Sequence, residues 1–508
     1  MRIPLNRDSH IPMYRQIHQF LREQITSGAL QPSTRLPASR DLASSLGVNR
    51  ITVTSAYAEL EAEGLVAGRP GSGTYVASLV PVAPGPPARR TAGTDWPLWQ
   101  QEMLNRAWLP SARELDRLLE STATRPDVIS FASGLGASEL FPVDDIRKRL
   151  HTILRRDGAG ALDYGHRRGH PPLRASIAQI LTAQGIPTHP EHVLITSGSQ
   201  QGLSLVARLL LRPGDAVLVE SPTYCGAIDL FRSLDVRLVG IPVDDQGMQA
   251  EQVEDALRRT MPRLIYTIPT FHNPTGTCMS GQRRRLLVEL AGRYNVPILE
   301  DDFVGDLRYD GRAQPALKAL DPGGRVIYVS TFSKMLMPGL RVGFLVAEGP
   351  VYERLVDLKR VSDLATSNLM QWALEACICV GCYQAHLRRA CRVYRRRRDA
   401  MVKALARFLP SGAQWVTPQG GLFLWLRLPN GLAADALYPL AAEEGVTFVP
   451  GSLFFPGGQS QPYVRLNFAR HAPEVIEEGV HRLSRAIMRA MTSQGRGVTP
   501  VPRRAVVV

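Results

Sequence analysis

The sequence contains little lysine and little cysteine, and it lacks any long apolar run. Five of its 60 basic residues are lysine, so arginine carries nearly all of the positive charge. Its six cysteines are too few for a disulfide scaffold and are expected to be free thiols. No apolar segment reaches the length of a membrane span, and the first residues, MRIPLNRDSH, contain no apolar signal core. These absences predict a cytoplasmic protein without a membrane anchor.

The scarcity of lysine makes the setting of each lysine informative. Arginine carries surface charge as well as lysine does, but it cannot form a Schiff base at neutral pH. Lys334 lies in STFSKMLMPGLRVG (residues 330–343), among small hydroxyl side chains and ahead of Arg341. This setting makes Lys334 the candidate for covalent chemistry.

The remaining composition describes a globular protein of more than one domain. A chain of 508 residues exceeds a single core and predicts two or three domains. Its net charge of +14 is a weak indication of a polyanionic partner. The arginine-rich residues 387–400 predict one long surface helix, for which a solvated face is favoured over a DNA contact.

The cysteines of CICVGC invite comparison with a zinc site. Cys377, Cys379 and Cys382 lie close together, but in a helix-like apolar segment without a second pair of ligands. Structural thiols are therefore favoured, and no metal site is predicted.

The N-terminal segment has the pattern of three helices followed by a hairpin. In residues 14–25 apolar side chains recur at helical spacing. Residues 36–65 predict two short helices joined by a turn at Gly47, with Asn49 placed to cap the second. Residues 65–77 alternate apolar and polar side chains around a glycine-rich tip. This order predicts a winged helix-turn-helix.

The second helix of this motif has the features of a DNA reader. It exposes Arg50, Thr52 and Ser55 near its start, where recognition helices contact base edges. A small three-helix domain that binds protein is the alternative. The segments LPASRDLA, GVNRITV and GSGTYV in residues 10–77 resemble the winged-helix domain of GntR-type bacterial repressors. The resemblance implies that this region binds a double-stranded DNA operator.

Particular DNA contacts follow from that resemblance. It implies that Arg40, Arg50 and Thr52 contact DNA. Arg69, in the hairpin, is available for a phosphate or for the minor groove. The glycines of GSGTYV are expected to shape the tip of the wing.

Two segments of the chain lack a core pattern. Residues 78–127 begin rich in proline, glycine and alanine and predict a semi-extended linker. Within them, WPLWQQEMLNRAW and LDRLLES predict short helical pieces docked on the following domain. Residues 491–508 predict a disordered tail.

Residues 128–490 alternate helical stretches with short apolar strands. This pattern predicts an α/β domain with a mostly parallel, helix-covered sheet. The clearest strands are residues 193–197, 216–220, 264–269, 296–301, 325–331 and 341–346. Catalytic groups in such folds lie on loops just beyond the strand ends, and unusual polar residues follow these strands.

Together these polar residues fit one cofactor. TSGSQQGL (residues 196–203) opens a helix with glycine and hydroxyls able to cradle a phosphate. Tyr224 offers an aromatic face, and Asn273 lies in a proline-bounded turn. Pyridoxal phosphate needs a lysine for its aldehyde, a carboxylate at its ring nitrogen and donors for its phosphate. Lys334 and the strand-end Asp301 complete that set.

In this order the motifs resemble the fold type I aminotransferase family over nearly all of residues 128–488. The resemblance implies that Lys334, as the catalytic residue, binds the aldehyde of the cofactor and that Asp301 pairs with the ring nitrogen. It also implies that Asn273 bonds the ring hydroxyl and that Tyr224 stacks on the ring. The residues implied to hold the phosphate are Ser199, Gln200, Ser330, Ser333 and Arg341.

One further match and one departure concern the ligand. YVRLNFA (residues 463–469) matches the strand that carries an arginine for a substrate carboxylate, so Arg465 is the candidate for substrate or effector. A surface salt bridge is the alternative for Arg465. Family members commonly carry tyrosine shortly after the aspartate, whereas this chain has Phe303. The lost hydroxyl argues against efficient transamination. Asp302 is the less favoured alternative to Asp301 as the partner of the ring nitrogen.

The whole chain resembles MocR/GabR-type regulators from end to end. The resemblance implies a head-to-tail homodimer whose large domain senses pyridoxal phosphate or an adduct with an amine or amino acid. The predicted domains are residues 1–77, 78–127, 128–490 and 491–508. A transcriptional regulator is favoured over an active aminotransferase with an autoregulatory DNA-binding domain. A large domain that serves only dimerisation would not explain Lys334 and Asp301.

Overall fold

The structure is a computed structural model, and it divides the chain into two compact units. These units are residues 1–105 and residues 106–508. The residues that the structure describes are 3–7, 9, 11–69, 73–77, 110–123, 125 and 127–495. The first part of the predicted linker, the tip of the wing and the end of the predicted tail lie outside them.

The first unit is a winged helix-turn-helix, as predicted. Its elements are helices α1 (Met13–Thr26), α2 (Ser39–Leu46) and α3 (Arg50–Ala62) and strands β1 (Val66–Arg69) and β2 (Gly73–Val76). The two strands pair antiparallel. Apolar side chains at helical spacing on α1 and α3 form the core: Ile17, Leu21, Ile25, Val53, Ala56, Tyr57 and Leu60.

Local chemistry fixes the turn between α2 and α3. Gly47 ends α2 in the left-handed region at a φ of 62°, which glycine adopts without steric cost. The side chain of Asn49 accepts a hydrogen bond from the Ile51 backbone N–H at 3.0 Å and so caps α3. The predicted turn and cap are both confirmed.

The second unit alternates helices and strands. Its helices are α4 (Pro110–Ala123), α5 (Val143–Asp157), α6 (Ala159–Leu162), α7 (Pro171–Ala183), α8 (Ser199–Leu210), α9 (Cys225–Arg232), α10 (Val253–Thr260), α11 (Gly281–Tyr294), α12 (Leu317–Leu320), α13 (Pro350–Asp363), α14 (Asn368–Cys379), α15 (Cys382–Phe408), α16 (Ala434–Glu443) and α17 (Pro473–Gly495). Its strands are β3 (Ile129–Ser130), β4 (Val193–Thr196), β5 (Ala216–Ser221), β6 (Arg237–Asp244), β7 (Gly247–Met248), β8 (Leu264–Thr267), β9 (Ile298–Asp302), β10 (Val326–Thr331), β11 (Gly343–Val346), β12 (Gln414–Trp415), β13 (Phe423–Arg427), β14 (Val446–Thr447), β15 (Val449–Pro450) and β16 (Tyr463–Asn467).

The main sheet has eight strands in the order β4-β11-β10-β9-β8-β5-β6-β7. Strands β10, β9, β8, β5 and β6 run parallel, while β11 is antiparallel to both of its neighbours. Every residue of β4, β8, β10 and β11 is buried, as expected for strands covered by helices on both faces. The predicted mostly parallel α/β fold is confirmed.

Smaller sheets complete the second unit. Strands β12, β13, β16 and β15 form an antiparallel sheet in that order, and β3 pairs parallel with β14. Strand β6 was not among the strands predicted from the pattern, because Gly240 and Pro242 interrupt its apolar run. Helix α4, which contains LDRLLES, packs against α9 as predicted for a docked helical piece.

Two expectations about helices need correction. The arginine-rich residues 387–400 lie in α15, but Arg397 and Arg398 are buried and donate to the carbonyls of Ala469 and Pro418. Part of that face therefore binds the body of the domain instead of solvent. Helix α17 extends through residues 491–495, so the first part of the predicted tail is helical.

Candidate cofactor site and DNA-binding surface

A cavity of about 650 Å³ opens where the parallel strands of the main sheet end. Its walls come from the loops that follow these strands, as expected for an open α/β sheet. Nine of the ten predicted site residues line this single cavity: Ser199, Gln200, Tyr224, Asn273, Asp301, Ser333, Lys334, Arg341 and Arg465. The tenth, Ser330, does not line it.

Asp301 lies near the end of β9 with one carboxylate oxygen engaged. Its Oδ2 accepts a hydrogen bond from the Tyr266 hydroxyl at 2.8 Å, and its side chain is buried. Its Oδ1 is also buried and has no hydrogen-bond partner among the described residues. Burial raises the pKa of Asp301 to about 7, although the Tyr266 hydrogen bond acts in the opposite direction. The site therefore has a vacant acceptor, and a ring N–H could supply its missing donor.

Lys334 follows β10 and borders the same cavity. Burial, and then the positive charges of Arg465 and Arg341, lower the pKa of the Lys334 amine to about 8. A Cβ atom built on Gly134 would make ordinary van der Waals contact with the Lys334 Nζ at 3.9 Å, so Gly134 lies beside the amine. A substantial fraction of this lysine is therefore neutral, and nucleophilic, near physiological pH.

The start of α8 and Arg341 form a cradle for an anion. Gly198 precedes α8 with a φ of 87°, and the first N–H groups of a helix lack intrahelical acceptors. The Arg341 Nη2 donates to the Ser197 carbonyl at 3.1 Å and so holds the guanidinium beside this helix end. A Cβ atom on Gly198 would lie 2.9 Å from that Nη2, so glycine keeps the cradle open.

Arg465 projects from β16 into the cavity and is buried. Its Nη1 donates to the Asn273 Oδ1 at 3.2 Å, and its Nη2 donates to the Ala132 carbonyl at 2.9 Å. Its guanidinium carbon lies 4.2 Å from the centre of the Phe423 ring. Burial lowers the pKa of Arg465 to about 10. Its burial contradicts the alternative of a surface salt bridge.

Aromatic side chains form two walls of the cavity. Tyr224 immediately precedes α9, and its hydroxyl donates to the Gln200 Oε1 at 3.3 Å. Burial raises the pKa of Tyr224, so its hydroxyl stays protonated at neutral pH. On another side, Phe303 stacks on Phe423 with ring centres 6.3 Å apart. The position at which a related chain would carry tyrosine is therefore part of the site.

The alternation of side chains along β10 explains the misplaced serine. Ser330 is buried away from the cavity and donates to the Asp302 carbonyl at 2.7 Å. Its neighbour Thr331 lines the cavity instead, because successive side chains of a strand point to opposite faces. Val329 pairs with Asp301 in the neighbouring strand, so Thr331, two residues further along β10, faces the same side of the sheet as Asp301.

Three further residues that position the site were missed by the sequence analysis. Tyr266 orients Asp301, as described above. Glu220 accepts the Ile268 backbone N–H at 2.9 Å and lies 3.2 Å from the His272 Nε2. These contacts fix the turn that carries Asn273. These residues could have been noticed in the sequence because polar side chains are unusual inside apolar strands and just beyond their ends.

The DNA-binding candidates lie on the first unit. Arg40 and Arg50 are exposed, and Thr52 is half-buried. Arg69 ends β1, where its backbone pairs with Gly73. A Cβ atom on Gly73 would lie 3.0 Å from the Arg35 Nε, and its φ of 114° is in a region that favours glycine.

Two negative findings concern only the part of the chain that the structure describes. Within it, no three His, Cys, Asp or Glu side chains are grouped so that they could hold a metal ion. The same residues include no helix with the length and apolarity needed to cross a membrane.

Each of the two units matches a known protein family. Residues 13–76 match the model of the bacterial regulatory proteins of the gntR family, and residues 126–483 match that of aminotransferase class I and II. The chain is 40% identical over 385 residues to aromatic-amino-acid aminotransferase 1 of Thermococcus litoralis, covering 75% of this chain and 91% of that protein. It is 34% identical over 495 residues to the probable rhizopine catabolism regulatory protein MocR of Rhizobium meliloti, covering 97% of each.

A solved structure with a bound ligand is similar over most of the chain. The α-aminoadipate aminotransferase LysN of Thermus thermophilus, complexed with N-(5'-phosphopyridoxyl)-L-leucine, is 38% identical, with a TM-score of 0.71 over 78% of this chain and 99% of that one. Fold, site and both matched models define a DNA-binding regulator with an aminotransferase-like domain. The chain belongs to the MocR-type family, in which a GntR-type DNA-binding domain precedes an aminotransferase class I and II domain.

The described residues fit pyridoxal phosphate, the cofactor of that aminotransferase class. The vacant Asp301 Oδ1 suits a protonated ring nitrogen, and the Ser333 Oγ is a second buried polar atom without a partner among the described residues. The cradle at Gly198 suits a phosphate.

Proposed function

We propose that the large domain binds pyridoxal phosphate and senses either the cofactor itself or its adduct with an amine or amino acid. The observation that carries this proposal is the vacant, buried carboxylate oxygen of Asp301, which borders the same cavity as the depressed-pKa amine of Lys334. A buried acceptor of this kind is costly unless a donor reaches it. We therefore expect the buried Asp301 carboxylate and the buried Lys334 amine to share one cavity only if a ligand binds to both.

Each predicted cofactor-binding residue that lines the cavity has a role in this proposal. Lys334 binds the aldehyde, and Asp301 keeps the ring nitrogen protonated. Asn273 bonds the ring hydroxyl, and Tyr224 covers one face of the ring. The phosphate lies at the helix start and Arg341, with Ser199, Gln200 and Ser333 beside it. When bound, the cofactor supplies an electron-withdrawing ring and an aldehyde that captures amines.

Arg465 gives the site a means to select its ligand. Its guanidinium is buried, and its Nε has no partner among the described residues. A carboxylate entering the cavity would gain a charge-assisted hydrogen bond from it. An amino acid is therefore the preferred class of effector.

We infer that the molecule is a head-to-tail homodimer. Four large apolar side chains are exposed in two segments: Leu162 at 67%, Tyr164 at 81%, Val361 at 76% and Leu364 at 54%. In the second of these segments Asp363 accepts a hydrogen bond from the Ser197 hydroxyl at 2.9 Å, next to the phosphate cradle. A partner that covers these side chains would therefore lie against the site.

A cytoplasmic location is proposed because such a regulator must reach its operator.

A working aminotransferase is the second candidate. The complete cavity favours it, as do relatives such as the 2-aminoadipate transaminase of Thermus thermophilus, which is 39% identical over 394 residues. Phe303 and the fused DNA-binding domain favour the regulator. The two candidates differ in whether ligands change DNA binding or are turned over.

Chemical reduction of the cofactor-loaded protein tests the proposed site. With borohydride and pyridoxal phosphate, peptide mapping is expected to find the phosphopyridoxyl label on Lys334. The near-visible absorption band of the unreduced protein is expected to be absent in Lys334→Ala and retained in Lys403→Ala, since Lys403 is exposed. A label on another lysine, or a wild-type protein without such a band, would contradict the proposal.

A further inference from the structure

The recognition helix α3 exposes an apolar side chain that has no role in the fold. Ile51 is the second residue of α3, and its side chain is 72% exposed. The other large apolar side chains of this helix, Val53, Tyr57 and Leu60, are buried in the core of the first unit. Ile51 is thus the one large apolar side chain that α3 offers to a partner.

The surroundings of Ile51 form an open groove on the surface of α3. The groove is lined by Arg50, Ile51, Thr54, Ser55 and Ala58. Ile51, Thr54, Ser55 and Ala58 share one face of the helix because they are spaced by three, four and seven residues. The Thr54 hydroxyl already donates to the Arg50 carbonyl at 2.9 Å. The face therefore presents the hydrocarbon of Ile51 and Ala58 beside two hydroxyls and one guanidinium.

The matching chemistry in double-stranded DNA is a methyl group. The N-terminal residues of a recognition helix contact base edges in the major groove. Among those edges only thymine carries an apolar group, its C5-methyl, while the other groups are hydrogen-bond donors and acceptors. An isoleucine cannot satisfy a donor or an acceptor, so a base edge without a methyl would lose its hydration there without compensation.

We propose that Ile51 is a specificity-determining residue that reads the C5-methyl of a thymine in each half-site of the operator. Arg50, beside it on the helix, contacts a neighbouring base or phosphate. The proposal rests on DNA binding by the first unit and on the exposure of Ile51. It does not depend on the cofactor site.

Removal of single methyl groups from DNA tests the proposal. Full-length protein first selects a binding site from a random duplex library. Each thymine of the selected site is then replaced in turn by deoxyuridine, which lacks only the C5-methyl. In each half-site one thymine is expected to be sensitive to this change. Replacing that single thymine should weaken binding about fourfold, the effect of losing one buried methyl-sized group.

Variants of the protein make the test specific to this side chain. Ile51→Ala is expected to weaken binding to the thymine duplex and to abolish the difference between thymine and deoxyuridine at that position. Ile51→Val should retain most of the difference, and Ile11→Ala, which truncates another exposed isoleucine of the same unit, should retain all of it. Thermal melting confirms that each variant is folded.

Three results would overturn the proposal. They are a selected site without thymine in either half-site, no thymine whose methyl affects binding, and undiminished methyl sensitivity in Ile51→Ala. A variant that alters self-association while DNA affinity and methyl sensitivity stay unchanged would assign Ile51 to a protein contact instead.

Discussion

The pKa of Lys334 governs how readily the site takes up its cofactor. Burial and two arginines lower this pKa to about 8, and only the neutral amine attacks an aldehyde. We predict that the rate at which cofactor-free protein gains its near-visible band rises with pH and levels off above about pH 8. Stopped-flow absorbance measures this rate. A rate that does not vary between pH 6.5 and 9.5 would contradict the assignment.

Replacing Arg465 tests whether the pH profile of cofactor uptake reports the pKa of Lys334. Its positive charge is one of the groups that lower the Lys334 pKa. In Arg465→Gln the midpoint of the profile is therefore expected to move to higher pH.

The buried carboxylate of Asp301 is expected to destabilise the cofactor-free fold at alkaline pH. Its pKa rises from 3.8 in the unfolded chain to about 7 in the folded protein, because burial disfavours the ionised form. The folded state therefore holds a proton that the unfolded chain has released between these values. The free energy of unfolding should decrease as pH rises across this window and stay lower above it.

Replacement of Asp301 should remove this pH dependence. Cofactor-free Asp301→Asn is predicted to have a higher Tm than the wild type at pH 8, with a smaller difference at pH 5.5. Calorimetry measures both, and the control is Asp245→Asn, because Asp245 is exposed. Equal Tm values for wild type and Asp301→Asn at pH 8 would show that Asp301 has another partner.

At the scale of elements, the recognition helix carries the sequence-reading function. Arg50 is the first residue of α3 and is exposed. If Arg50 contacts a base edge, Arg50→Ala should weaken specific binding by about 1–3 kcal/mol and relax the preference at one position. If it contacts a phosphate, the loss should be similar on all sequences and the salt dependence should fall. Fluorescence anisotropy at two salt concentrations distinguishes these cases, and unchanged affinity would exclude Arg50.

The sequence predicted elements best where one local rule determined the structure. Buried strands such as β4 and β10 begin with runs of apolar residues, and the turn between α2 and α3 depends on Gly47 and Asn49. It predicted poorly where a distant contact decided the outcome. Arg397 is buried because it meets the Ala469 carbonyl far along the chain, and no local pattern indicates that.

The same distinction holds within the candidate site. Lys334 and Asp301 could be predicted because their chemistry is distinctive and they lie at or just beyond the ends of strands. Ser330 was misplaced because the pairing of β10 with β9, which puts Thr331 on the face of Asp301, is not visible in the sequence. Tyr266 was missed because its role, orienting Asp301 from the adjacent strand β8, appears only when the strand order is known.

At the scale of the whole molecule, an effector can act on DNA binding only through contacts that differ between the ligand-free and bound states. In the proposed function an incoming amine would displace Lys334 and a carboxylate would engage Arg465, so both residues would change partners. Helix α4 lies in the last part of residues 78–127, the predicted linker, and Leu115 on this helix lines the same cavity. A ligand can therefore change contacts with the helix that connects to the DNA-binding unit.

The most direct test of this account measures operator binding by the full-length protein with and without pyridoxal phosphate and a panel of amino acids. The account predicts that pyridoxal phosphate, alone or with an amino acid, changes affinity or DNA bending. It also predicts that Lys334→Ala and Asp301→Ala abolish the change while keeping basal DNA binding. DNA binding indifferent to both ligands, together with rapid transamination by the same preparation, would contradict it and establish the enzyme.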